Sequence, residues 1–286
     1  MGFRIVVIKN RSKLDLKMDY LVCRSSETYS VFIPEISTLI LESTAISLTC
    51  ALVSELIKNN VKIIFCDEKH NPESELVSYR NSYNSSKKIK QQIMWSEDVK
   101  KEVWSRIIKD KIMKQSQLLS ERKHEIESKM LIDYSQHILS NDITNREGHA
   151  AKVYFNALFG MSFSRRNEHQ INSALNYGYA IILSCFNREI VKMGYMTQLG
   201  IWHRNEFNAF NLSCDLMEPF RILVDKLVLN LDADKDMKSQ MLEIFNLKVK
   251  INNKLQVLEN PITIYCQSVI DALNKNDANL IKFYEL

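Results

Sequence analysis

Short apolar runs open the chain, and long helical stripes follow them. Phe3 to Ile8, Tyr20 to Cys23, Tyr29 to Ile33 and Thr38 to Glu42 are rich in β-branched or aromatic residues and are separated by polar turns, which predicts four strands. The period then changes. Ile46, Cys50, Val53, Leu56 and Ile57 fall on one face of a helix over 46–60, Asn59-Asn60 ends it, and Val61 to Phe65 returns to strand. Turn formers at His70-Asn71-Pro72 and from Asn81 to Ser86 mark a connector. From Ile93 the apolar spacing is helical nearly to the end. It predicts helices near 95–118, 120–140, 146–159, 170–192, 216–229 and 262–275, with the polar stretch 230–260 read as irregular or as a short hairpin. The expected fold class is α+β: a small N-terminal β domain with one packed helix over 1–75, a linker over 76–94 and a larger all-helical C-terminal domain over 95–286.

Composition agrees with that outline. The 286 residues suffice for one large or two modest domains, and only 6 Gly and 4 Pro favour long regular elements. The net charge of +4 decides little, but its distribution is uneven: residues 80–129 carry 13 Lys or Arg against 7 Asp or Glu, with Trp95 and Trp104 among them. Such a stretch is either a solvated helix face or a surface that attracts phosphates by counterion release. The six cysteines are scattered, form no C-x-x-C pair and read as small buried hydrophobes in a reducing compartment. No signal-peptide pattern opens the chain and no apolar stretch of about 18 residues occurs, so a cytoplasmic protein with no membrane partner is expected. P-loop, G-x-G-x-x-G, G-x-S-x-G and zinc spacings are absent, which leaves nucleotide hydrolysis, Rossmann cofactors and serine hydrolysis without support.

The candidate chemistry lies in three separated places. Glu147 sits in Asn145-Arg146-Glu147-Gly148-His149-Ala150-Ala151, His203 in Leu199-Gly200-Ile201-Trp202-His203, and Asp215 and Glu218 in Asp215-Leu216-Met217-Glu218-Pro219-Phe220-Arg221. One imidazole and two or three carboxylates suit a hard divalent cation that keeps positions open for water or phosphate. Each residue also has a plain structural reading. Thr144 to Glu147 fits a capping box with Thr144 as N-cap. His203 fits a hydrogen-bonded loop histidine. Asp215 and Glu218 fit an acidic first turn, with Arg221 and Asp225 as a surface pair. Pro219 disfavours helical geometry at Glu218 and places it at a helix start or kink. Arg165 and Arg166 fit phosphate contacts or plain surface equally well.

Taken in order, the Glu147 segment, Asn172-x-x-Leu175-x-Tyr177-Gly178-Tyr179, Leu199-Gly200-x-x-His203 and the run from Asp215 through Asp225 resemble the CRISPR adaptation integrase, the nuclease of spacer acquisition, over nearly the whole chain. Leu41-Glu42-Ser43-Thr44, Phe65-Cys66-Asp67 and Trp95 to Lys100 look like its type II branch. The resemblance implies an N-terminal β domain and a helical domain paired as a homodimer. Two such dimers flank a dimer of a small partner subunit, and other type II CRISPR proteins join as partners. It implies a metal-dependent DNA endonuclease and integrase, using Mg²⁺ or Mn²⁺. The 3′-hydroxyl of a captured double-stranded DNA attacks a phosphodiester at the leader–repeat junction of the CRISPR array, and branched DNA is cut by the reverse chemistry. Glu147, His203 and Glu218 match the family's catalytic metal ligands. Asp215 matches a further acidic position, either a ligand or a support behind one. Arg146, Lys152, Arg165, Arg166 and Arg221 are the candidate DNA contacts. The alternatives are a non-catalytic DNA-binding scaffold of the same fold and a generic metal-dependent nuclease of branched DNA.

Overall fold

The structure, a computed structural model, describes every residue except 1, 3, 77, 79–83 and 140–141. The chain divides into two compact units, Met1–Arg80 and Asn81–Leu286. The first holds the strands β1 (Arg4–Ile8), β2 (Ser12–Lys17), β3 (Tyr20–Arg24), β4 (Thr28–Phe32), β5 (Ile36–Leu41), β6 (Ile46–Leu48), β7 (Lys62–Cys66) and β8 (Pro72–Glu75), with helix α1 (Cys50–Lys58) between β6 and β7. One sheet runs β1-β5-β7-β8, parallel except for β8, and the other runs β4-β3-β2-β6. Strand β5 is buried at all six positions, as an apolar run in the middle of a parallel sheet must be. Leu14, Leu21, Ile33, Leu39, Leu52 and Leu56 are fully buried in the core of this unit.

The helix expected over 46–60 starts later. Ile46–Leu48 pairs in parallel with β2, and the Thr49 hydroxyl accepts the Leu52 amide to begin α1 at Cys50. Strands β2 and β8 escape the sequence reading because they are polar: β2 buries Leu14 between Lys13 and Asp15, and β8 is a short edge strand, Pro-Glu-Ser-Glu.

The second unit holds α2 (Ser85–Ile93), α3 (Glu97–Glu121), α4 (Glu125–Gln136), α5 (Arg146–Phe159), α6 (Gln170–Lys192), α7 (Asn211–Met217), α8 (Arg221–Val228), α9 (Met237–Met241), the hairpin β9 (Lys248–Ile251) and β10 (Lys254–Val257), and α10 (Glu259–Lys275). The polar stretch 230–260 is therefore partly a hairpin, turned by Asn252 and Asn253, both left-handed at φ 51° and 60°. Within 76–94, read as linker, lies α2, and its buried Gln92 side chain donates to the Met196 and Leu199 carbonyls and accepts the Met196 amide. The turn formers Asn81, Ser82 and Tyr83 lie outside the described residues.

Helix α3 runs through the core. Val103, Trp104, Ile107, Ile108, Ile112 and Leu119 are at most 1% exposed, and each such burial contributes about 1.5–3 kcal/mol. This corrects the picture of an open basic surface here: Trp95 and Trp104 are core residues, Lys111 and Lys114 are buried, and Lys100, Lys101 and Arg106 pair with Glu97, Asp98 and Glu102 on their own helix. No helix among the described residues is long and apolar enough to cross a membrane.

Candidate metal centre

Three elements of the helical unit aim side chains at one point. The first is the start of α5. Its cap is Asn145 rather than Thr144: Asn145 is left-handed at φ 51° and its Oδ1 accepts the Gly148 amide at 3.3 Å. Asp142 takes the next two donors, with the Arg146 amide on Oδ1 at 2.8 Å and the Glu147 amide on Oδ2 at 2.9 Å. Gly148 is needed because a Cβ there would sit 2.6 Å from Asn145 Oδ1. With the helix end satisfied by other residues, the Glu147 carboxylate is free of capping, and it accepts from Lys111 Nζ at 2.6 Å.

The second element is the joint between α7 and α8. Glu218–Phe220 forms a single 3₁₀ turn with Pro219 inside it; Glu218 itself stays helical at φ −50°, ψ −45°, against the expectation that the proline disfavours that geometry, so the interruption is a change of helix type. The turn is held by Tyr284, whose hydroxyl donates to the Pro219 carbonyl at 2.8 Å and whose ring lies 4.5 Å from that of Phe220. Glu218 is buried; its Oε2 accepts from Lys111 Nζ at 2.6 Å and its Oε1 from Arg221 Nε at 2.9 Å. Arg221 and Asp225 are not the surface pair of the plain reading. The Arg221 guanidinium lies 4.7 Å over the Tyr179 ring, and Asp225 is buried, accepting the Tyr154 hydroxyl at 2.8 Å and the Tyr179 hydroxyl at 2.5 Å.

The third element is α3 itself, which supplies Lys111. Burial works against its charge, but Glu147 and Glu218 outweigh that and raise the ammonium to about 12. Burial likewise works against the charge of Glu218, but Arg221 and Lys111 hold its carboxyl at about 2. Burial raises Asp225 to about 6 in spite of its two tyrosine donors. These groups line a cavity of about 240 Å³ that Arg165 and Phe155 also border. Arg165 is fixed there by Asn172 Oδ1 and Asn176 Oδ1, both at 2.6 Å.

His203 and Asp215 form a second cluster. Asp215 is wholly buried and folds the preceding loop around itself: Oδ2 accepts the Ile201 amide at 2.6 Å and the Trp202 amide at 3.0 Å, and Oδ1 accepts the His203 amide at 3.1 Å and meets His203 Nδ1 at 2.5 Å. Gly200 permits this, since a Cβ there would lie 2.4 Å from the His203 carbonyl oxygen and 2.8 Å from Asp215 Oδ2. The hydrogen bond that His203 donates to Asp215 raises the His203 pKa against the opposing effect of burial, and the charges of Asp215, Glu218 and Glu147 add to it. Trp104 on α3 stacks on Trp202 at 5.6 Å and meets His203 edge-on at 5.7 Å.

Glu147 and Glu218 thus meet at Lys111, and His203 meets Asp215. Among the described residues no three His, Cys, Asp or Glu side chains are gathered as a metal-ligand group. The donor chemistry nonetheless fits a hard divalent cation: two carboxylates converge on one positive charge, and an imidazole has Nδ1 engaged by a carboxylate, as metal-binding histidines commonly do, leaving Nε2 for an ion. Of the candidate DNA contacts, Arg165 and Arg221 border the cavity, Arg146 lies 5.5 Å over the Tyr134 ring, and Lys152 and Arg166 are exposed. Lys111, Asp142, Tyr154, Tyr179 and Asp225 carry parts of the site that sequence reasoning did not assign to it. Tyr179 and Asp225 lay inside the spaced motifs, whereas a lysine in the middle of a helix gives no signal.

The family model for CRISPR associated protein Cas1 matches residues 5–256. The CRISPR-associated endonuclease Cas1 of Neisseria meningitidis serogroup C (strain 8013) is 33% identical over 242 residues, which are 84% of this chain and 80% of that protein. Two solved structures share the fold at low identity. A casposase bound to its integration product is 19% identical with a TM-score of 0.79, covering 97% of this chain and 92% of that one. A Cas1 protein from Thermotoga maritima is 16% identical with a TM-score of 0.73, covering 94% and 97%.

Proposed function

Because the chain belongs to the Cas1 family of CRISPR-associated proteins, we propose that it is a metal-dependent DNA endonuclease and integrase that joins short DNA duplexes to a CRISPR array by 3′-hydroxyl attack on a phosphodiester. The observation that carries this reading is the convergence of the Glu147 and Glu218 carboxylates on one cation beside Arg165 and Arg221. Glu147, Glu218 and His203 would hold Mg²⁺ or Mn²⁺, which when bound supplies a Lewis acid at the scissile phosphate. The protein does the positioning. Asp215 holds the imidazole in one orientation through Nδ1. Arg221 keeps Glu218 ionised and aimed. Arg165, braced by two asparagines and lying 5.4 Å over the Tyr179 ring, presents a fixed guanidinium that suits phosphate oxygens and reads no base. The partners in this reading are double-stranded DNA, a second copy of the chain and a small partner subunit, in the cytoplasm.

One observation favours a second reading, a DNA-binding scaffold with an idle centre: the Lys111 ammonium already bonds both carboxylates. Joining of a labelled duplex to a supercoiled repeat plasmid separates the two, run with and without the small subunit in Mg²⁺, Mn²⁺ and chelator. The integrase reading expects joined product with metal only, and losses of about 100-fold or more in Glu147→Gln and His203→Ala. Duplex binding that persists with no joining by the parent under any condition establishes the scaffold; nicking without joining establishes a generic nuclease.

A further inference from the structure

Lys111 bridges the two candidate ligand carboxylates. Its Nζ touches one oxygen each of Glu147 and Glu218 at 2.6 Å, and these come from the start of α5 and from the α7–α8 joint. The two carboxylates approach each other through that ammonium, since like charges that close, with Glu218 buried and Glu147 half-buried, otherwise repel. Arg221 also touches Glu218, but on the other oxygen, and its guanidinium is spread over Tyr179. Lys111 is a point charge on a flexible four-carbon stem and is therefore the cation that can withdraw. The charges bordering the cavity already balance, with Lys111, Arg165 and Arg221 facing Glu147, Glu218 and Asp225. A divalent ion entering with Lys111 still in place would set like charges side by side.

We propose that Lys111 is the resident counter-cation of this centre: it holds Glu147 and Glu218 aimed at a common point in the metal-free protein and exchanges with the divalent ion when that ion binds. The inference rests on the metal reading above and adds to it a positioning residue that also weakens metal affinity. The ion must break two charge-assisted hydrogen bonds to enter, and the protein in turn keeps a formed site while it waits.

Mn²⁺ titration of the full-length chain, with free Mn²⁺ followed by electron paramagnetic resonance, tests the exchange. Lys111→Met keeps the length of the side chain and removes its charge. It is expected to bind Mn²⁺ at least about tenfold more tightly than the parent, to melt lower without metal, and to gain more in Tm on saturation. Equal or weaker binding in Lys111→Met, with Glu147-dependent binding in the parent, overturns the exchange and leaves the metal reading standing. No binding in either protein overturns both. A second measurement needs no charge-removing variant. In protein labelled with ¹⁵N-lysine, the Lys111 ammonium, identified by its absence in Lys111→Arg, is expected to give a slowly exchanging signal that Mg²⁺ saturation removes or shifts. A signal unchanged at saturation overturns the proposal.

Discussion

Asp215 shows how one side chain can fold a loop. Its carboxylate accepts three successive amides and the His203 ring, so its charge is spent on geometry. In Asp215→Asn the amide nitrogen must face a backbone N–H, and a destabilisation of about 3 kcal/mol is expected in urea unfolding, with Mn²⁺ affinity down about 10–100-fold. Glu147→Gln is the contrasting case. Asn145 and Asp142 cap the helix without it, so Tm is expected to stay within a few degrees of the parent while Mn²⁺ binding and strand joining disappear. At this scale the sequence was half legible. It marked Glu147, His203, Asp215 and Glu218 and left open whether Glu147 capped a helix. Only coordinates decide that, because the capping box and the true cap differ by one residue. Lys111 was illegible: 36 positions separate it from Glu147 and 107 from Glu218, and nothing local distinguishes it from a solvated lysine.

Among the elements, the 3₁₀ joint between α7 and α8 matters most. A 3₁₀ turn at Pro219 interrupts the regular helix between 211 and 228, and Glu218 lies buried in that joint. Tyr284 fastens that joint from the end of the chain. Tyr284→Phe leaves the Pro219 carbonyl without its donor, and a cost of about 1–3 kcal/mol is expected by chemical denaturation; an unchanged midpoint would show that the joint holds itself. Gly178 sets a neighbouring constraint, since a Cβ there would meet Val224 Cγ1 of α8 at 2.5 Å. The long helices were readable because α5, α6 and α10 bury a repeating stripe. The strands β2, β6 and β8 were not, because their pairing depends on distant partners while their own residues are polar or few.

Over the whole molecule, the helical unit keeps an unusual number of ionisable groups in its interior, and its stability should follow pH accordingly. Asp225 has its pKa raised from 3.8 to about 6 in the fold, so the stability it lends is complete below about pH 4 and is lost as pH rises through about 6. Relative to Asp225→Asn, the parent is expected to lose on the order of 3 kcal/mol between pH 4 and pH 7 in parallel denaturant titrations. A difference that does not vary over that range would place Asp225 in water rather than in the core. His203 works in the same direction. Raised by Asp215, it stabilises the fold fully below its ordinary value of 6.5, and the effect fades as pH rises through its elevated pKa. The α+β class followed from the change of hydrophobic period near residue 93, which survives any rearrangement of polar contacts. The placement of charge did not follow, because within the basic run 80–129 α3 takes Lys111 and Lys114 into the core and Lys100, Lys101 and Arg106 into pairs along its own surface, which local sequence does not mark.

The chain has three tryptophans, and two of them, Trp104 and Trp202, are stacked with His203 set edge-on against one indole. The loop that carries the imidazole therefore comes with its own optical reporter. Ultraviolet emission can follow that loop as it loosens, gains a proton or closes on a guest, in unlabelled protein and in real time.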